Sequence, residues 1–159
     1  MGKQARAIVD LNIKELVKEL NKAYCDEVLA FYLYWYMSHT VSGKSYMVIK
    51  ELLEGIAKDE LEHAGELADL ILTLGDVPTA NLMDIEKNAN ASYSLPPKNA
   101  ADINRIIRVV TELEAGAIDV YHKLAKKTQG KDFNTHQAIL HILSEEIEHE
   151  EKLENLLER

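Results

Sequence analysis

Asp59-Glu60-Leu61-Glu62-His63 and Glu145-Glu146-Ile147-Glu148-His149 place one acid-acid-x-acid-His string at two points of a single chain. Each string interrupts an apolar stripe of helical period. The earlier stripe runs Ile49, Leu53, Ile56, Glu60, His63, Leu67, Leu70/Ile71, Leu74, and the later one Ile139, Leu143, Glu146, His149, Leu153, Leu156/Leu157. Two consecutive core positions are therefore ionisable in each helix. At a spacing of three residues the Glu and the His share a helix face and can hold one cation together. A fold that accepts this sequence must bring partners to those groups.

Two further stripes each carry one acid. The first follows a candidate N-cap, Asn12, and runs Ile13, Leu16/Val17, Leu20, Tyr24, Glu27, Phe31, Tyr34, Ser38, predicting a helix over about 13–41 that ends at the Ser42-Gly43 turn. The second helix is expected over about 45–74, closed by Gly75 and Pro78. Residues 75–100 hold all three prolines and several Asn and Ser residues, so they read as a connection, with room for one short helix within 79–89. A crossover of this length can return along a whole bundle and leave the second and third long helices parallel. The third helix, about 101–128 with Asp102 or Asn99 as cap, has the stripe Ile103, Ile106/Ile107, Val110, Glu114, Ala117, Tyr121, Leu124. Phase places Glu114 on that stripe and Glu112 off it. Gln129-Gly130 closes it, and Asp132 or Asn134 opens a fourth helix over about 133–158. The chain ends at Arg159 with no room for a fifth. The expected fold is all-α, a four-helix bundle in one domain over 1–159.

Composition narrows the function. Apolar residues are 47% and charged residues 28%, with 7 Gly, a helix-rich profile. A formal charge of −9 disfavours DNA, an anionic membrane or an acidic substrate and favours cations. The one cysteine, Cys25, excludes an internal disulfide and a Cys-based zinc or iron–sulfur site within one chain. No apolar h-region follows the N-terminus and no run of 18 apolar residues occurs, so a cytoplasmic protein without a spanning helix is expected.

The halves repeat one another. Tyr34 follows Glu27 by seven residues and Tyr121 follows Glu114 by seven, while the lone Glu precedes the Glu-x-x-His by 33 residues in one half and 32 in the other. Each half reads as a helical hairpin offering one Glu and one Glu-x-x-His. Packed together, two hairpins converge Glu27, Glu60, Glu114 and Glu146 with His63 and His149 at mid-height. Burying carboxylates costs several kcal/mol, in order of magnitude, unless they are neutralised. The stripes contain no Lys or Arg to do so, and a pair of divalent cations supplies the missing charge. Oxygen and nitrogen donors without thiolate fit iron or manganese. Tyr34 and Tyr121 either fill core volume or hydrogen-bond a carboxylate across the bundle, the second reading being slightly favoured. Glu62, Glu66, Glu145, Glu148 and Glu150 read as a solvated acidic face. His39, His122, His136 and His141 lie off the stripes.

At these residues the chain resembles the ferritin-like superfamily over essentially its full length. It is most similar to Dps-like proteins with a bacterioferritin-type di-iron centre inside the bundle. The resemblance rests on Glu27 leading into Tyr32-Leu33-Tyr34-Trp35, on Asp59-Glu60-x-x-His63-Ala64, on Leu74-Gly75, on Glu114-x-x-Ala117-Ile118 before Tyr121, and on Glu146-x-x-His149. It implies iron storage and detoxification: a hollow homo-oligomeric shell, ferroxidase oxidation of Fe²⁺ by O₂ or H₂O₂, and ferric mineral inside. It also implies two Fe ions per subunit, with Mn or Zn as substitutes. Their ligands would be Glu27, Glu60, His63, Glu114, Glu146 and His149, with Glu60 and Glu146 nearest to bridging. Leu61 stands where bacterioferritins carry a haem-ligating Met, so haem is not expected. Gly116 and His136 stand where thiol-bearing relatives carry cysteines. The missing fifth helix favours a shell of twelve subunits over one of twenty-four. The alternatives are a di-iron or di-manganese peroxidase or catalase without storage, and a structural DNA-protecting role.

Overall fold

A computed structural model describes residues 3–157. Four long helices carry the fold: α2 (Ile13–Thr40), α3 (Tyr46–Leu74), α5 (Ile103–Thr128) and α6 (Phe133–Leu157). Two short ones flank them, α1 (Lys3–Ala7) and α4 (Leu82–Asn88). Among the described residues there is no strand, and no helix is long and apolar enough to cross a membrane. The expected end of the last helix at 158 lies outside the described residues. α1 was not foreseen; its five residues carry no apolar stripe.

Local chemistry sets the helix ends. Asn12 Oδ1 accepts from the N–H groups of Lys14 and Glu15, and Asp102 Oδ1 accepts from Arg105 N–H, satisfying donors that a helix start leaves open. Asp132 Oδ1 does the same for Thr135 N–H, 3.1 Å away, at the start of α6. Gly75 ends α3 at φ 102° and donates its N–H to Ile71 and Leu72, a left-handed cap that glycine adopts without a Cβ penalty.

Two apolar clusters fill the bundle, one toward each end. One joins Leu16 to Ala23 of α2, Leu67 to Leu74 of α3, Tyr121 to Ala125 of α5, and Ile139 with Ile142 of α6. The other joins Leu33 to Val41, Ile49 to Ala57, Ile106 to Val110, and Leu153. The order in which each helix meets the clusters fixes its direction. α2 and α6 run one way, α3 and α5 the other, so the crossover between α3 and α5 traverses the bundle's length. Each fully buried Leu or Ile contributes about 1.5–3 kcal/mol. Between the clusters every long helix leaves a gap, and in those gaps lie Glu27, Glu60 and His63, Glu114, and Glu146 and His149.

Candidate metal centre

The four gaps meet at one height, and all six donor-type residues read from the stripes are buried there, none more than 2% exposed. Their donor atoms form two groups, Glu27–Glu60–His63–Glu146 and Glu60–Glu114–Glu146–His149, within each of which one atom per residue lies within 4.8 Å of the others. Glu60 and Glu146 belong to both. The arrangement repeats the internal duplication of the sequence: each group takes one lone Glu and one His, and the two Glu residues of the Glu-x-x-His motifs stand between them.

Each imidazole turns Nδ1 inward and Nε2 outward. His63 Nδ1 is 3.0 Å from Glu146 Oε1 and 3.4 Å from Glu60 Oε2, while His149 Nδ1 is 3.2 Å from Glu114 Oε2 and 3.6 Å from Glu60 Oε1. Outside, His63 Nε2 donates to Glu145 Oε2 at 2.7 Å and His149 Nε2 donates to Asp59 Oδ2 at 3.2 Å. The contacts cross: the acid before Glu146 on α6 holds the histidine of α3, and the acid before Glu60 on α3 holds the histidine of α6. Glu145 is therefore not simply part of a solvated face, as its place in an acid-rich helix had implied. Its side chain is 40% exposed, yet it orients a buried ring. Glu62 and Glu148 do sit on the exposed surface, each paired with a lysine one turn away. Glu66 reaches toward His141, 3.5 Å away.

The two tyrosines brace the lone acids. Tyr34 OH donates to Glu114 Oε1 at 2.6 Å, and Tyr121 OH donates to Glu27 Oε1. Each tyrosine reaches from its own hairpin to the acid of the other. Glu112, two residues from Glu114, is exposed.

Charge crowding shows in the protonation. Burial first, and then the neighbouring acids, raises the carboxyls of Glu60 and Glu146 well above the usual carboxylate range; burial also raises Glu27. Burial opposes the charged form of His63, but the surrounding carboxylates outweigh it and push the ring up to about 9. His149 is raised in the same way by Glu114 and Asp59 against burial. Glu60 Oε1 and both Glu146 carboxyl oxygens are buried and accept no well-formed hydrogen bond, although His63 Nδ1 lies 3.0 Å from Glu146 Oε1. Orphaned buried acceptors are costly, and here they all face one small space. Hard oxygen donors with two imidazoles, four acids and no lysine or arginine among them fit a pair of divalent first-row cations.

The ferritin-like domain family model matches residues 17–159. The chain belongs to the ferritin-like family. The DNA protection during starvation protein of Pyrococcus furiosus is 30% identical over 147 residues, covering 92% of this chain and 79% of that protein. The dodecameric thioferritin of Bacteroides fragilis, a bacterioferritin-related protein, superposes with a TM-score of 0.93 at 32% identity, over 98% of this chain and 93% of the other. A ferritin-like, diiron-carboxylate protein of Bacillus anthracis gives 0.75 at 28% identity, over 91% and 96%. Together with the two donor groups, these relatives support iron binding by this ferritin-like chain.

Proposed function

We propose that each chain binds two Fe²⁺ ions at this centre, oxidises them, and stores the product as ferric mineral within a closed homo-oligomeric shell. The observation that carries the reading is the pair of overlapping donor groups sharing Glu60 and Glu146, with orphaned buried atoms facing inward. Fe²⁺ is the substrate: two ions give two electrons to one H₂O₂, whose O–O bond breaks and, with two protons, yields two waters, whereas O₂ takes two electrons and two protons from one pair of ions to give H₂O₂, or four of each from two pairs to give two waters.

The chain's residues prepare that exchange. Glu27 and His63 serve one position, Glu114 and His149 the other, and Glu60 and Glu146 span both. Tyr34 and Tyr121 hold the lone acids, so that the donors keep their places without the metal. Glu145 and Asp59 keep a proton on each outer Nε2, which leaves each Nδ1 free to give up its proton and donate its lone pair. The protons that crowding forces onto Glu60 and Glu146 leave as cations arrive, which couples uptake to pH. The apolar clusters above and below close the layer to water from the two ends of the bundle.

Likeness to the dodecameric thioferritin supports a shell of twelve. The DNA-protection name of the Pyrococcus relative does not carry over to DNA binding here, because a chain of formal charge −9 repels a polyanion. Aerobic loading with Fe²⁺, followed by iron counting and sizing of the same particle, tests the proposal. Many irons per particle in a closed shell is the expected result. Oxidation without retained iron would assign a peroxidase-type activity instead, and the absence of both would remove the ferroxidase reading.

A further inference from the structure

The centre is walled differently on its two sides. Between α3 and α6 the rings of His63 and His149, centroids 6.2 Å apart, are backed by half-exposed Asp59 and Glu145, an acidic approach. Between α2 and α5 there is instead a cavity of about 230 Å³ that opens to the surface and ends on Glu27, Tyr34, Glu60, Glu114 and Glu146. Its walls are mostly apolar, from Leu29, Ala30 and Leu33 on one helix and Leu113, Ala117 and Val120 on the other, with Glu112 also on the lining. Residues 90–94 of the crossover roof it. Asp26 pins that roof, accepting from Asn90 N–H at 2.8 Å and from its side-chain amide, so this acid is already engaged.

Gly116 also borders the cavity, at an exposed position of α5 where a Cβ built on it meets nothing within 4 Å. Glycine within a helix is less stable than alanine, and among the described residues no close approach demands it. A larger side chain at this exposed position has room to lie across the cavity's opening. A hydrated cation gains nothing from apolar walls, whereas a small neutral molecule crosses them readily. An enclosed cavity of about 150 Å³ lined by Leu, Ile and Phe accepts xenon, and the apolar part of this wall offers the same kind of contact.

We propose that this cavity is the entry path of the oxidant, a small uncharged molecule with an O–O bond, and that Gly116 keeps it open while cations enter elsewhere. The inference rests on the ferroxidase reading above. Gly116→Leu covers the opening with a better helix former, and Gly116→Ala covers it in part; Leu113→Phe narrows the cavity from the wall, should the first variant alter the particle. Three readouts on the assembled protein separate the outcomes: anaerobic Co²⁺ binding by its optical spectrum, Fe²⁺ oxidation with O₂ and with H₂O₂ in separate arms, and diffraction under xenon pressure. Gly116→Leu should slow oxidation about tenfold, equivalent to about 1.4 kcal/mol on the barrier to passage, with a smaller effect for Gly116→Ala. Xenon should occupy the wild-type cavity and be lost from the Leu variant, and Co²⁺ uptake should keep its rate and endpoint. Slowing in one arm alone supports the path and identifies its oxidant. Unchanged oxidation in both arms of Gly116→Leu and Leu113→Phe, an empty cavity under xenon, or Co²⁺ uptake slowed in step with oxidation overturns the proposal. A wild-type protein that binds Co²⁺ but oxidises no Fe²⁺ overturns the ferroxidase reading itself.

Discussion

Without metal, the protein should lose stability as pH rises from 6 to 9, and His63 is the group whose share can be sized. Its ring rises from an ordinary 6.5 to about 9 because Glu146, Glu27 and Glu145 surround it. At about 1.4 kcal/mol per pH unit, that step is worth roughly 3 kcal/mol to the apoprotein. A raised folded pKa means the folded chain keeps a proton that the unfolded chain has lost. The contribution is therefore full below pH 6.5 and gone once pH has passed about 9. His149 acts in the same direction, and so do Glu27, Glu60 and Glu146, whose raised values begin to cost stability from the lower carboxylate range upward. For a chain of this size about 1 kcal/mol moves Tm by roughly 2–4 °C, so His63 alone accounts for a fall of about 6–12 °C. Thermal melts with a chelator at pH 6, 7.5 and 9 measure it, and His63→Gln should remove that part of the slope. Adding a redox-inert divalent cation should reverse the trend, because cation and protons compete for the same atoms. A Tm that is flat or rising with pH in the chelated protein, or a slope unchanged in His63→Gln, would refute the reasoning.

Two further expectations follow from the same geometry. Glu114→Ala should abolish fast Fe²⁺ oxidation while Glu112→Ala, at an exposed position two residues away, leaves it nearly intact; stopped-flow absorbance separates them, and the reverse result would mean that the α5 register is misassigned. Glu145→Ala and Asp59→Ala should each weaken divalent binding about 10–100-fold without moving the endpoint, since each releases a ring it now holds; unchanged affinity in a Co²⁺ titration would show that the outer acids do not orient the histidines.

The architecture was legible where the physics is local. Helical periodicity located the four long helices, and the phase of Glu114 against Glu112 distinguished a buried acid from an exposed one. The convergence of Glu27, Glu60, His63, Glu114, Glu146 and His149 was readable because polar groups on a core stripe demand partners, and duplication showed which would meet. For Tyr34 and Tyr121 a reach to carboxylates was only slightly favoured over core filling, and the crossed pairing became visible only once the hairpins faced each other. Asp59 and Glu145 were harder. Each is one residue away from a core Glu, so by phase it points toward a flank, and only the neighbouring helix turns that flank into an imidazole contact. The doublet Asp59-Glu60, repeated as Glu145-Glu146, was the available signal. The α2–α5 cavity left no such trace, since it depends on how far two helices stand apart and on the path of a crossover held by Asp26. α1 gave no periodic pattern at all. Five residues are too few for one.

The central claim is a two-cation centre inside every chain. Anaerobic titration with Fe²⁺, followed by calorimetry and by the metal content of the desalted protein, measures it directly. The account predicts saturation at two ions per chain, with Glu60→Gln and Glu146→Gln each disturbing both positions because these residues span the pair. An endpoint of zero or one ion per chain, or a variant that loses one position and leaves the other untouched, would contradict it.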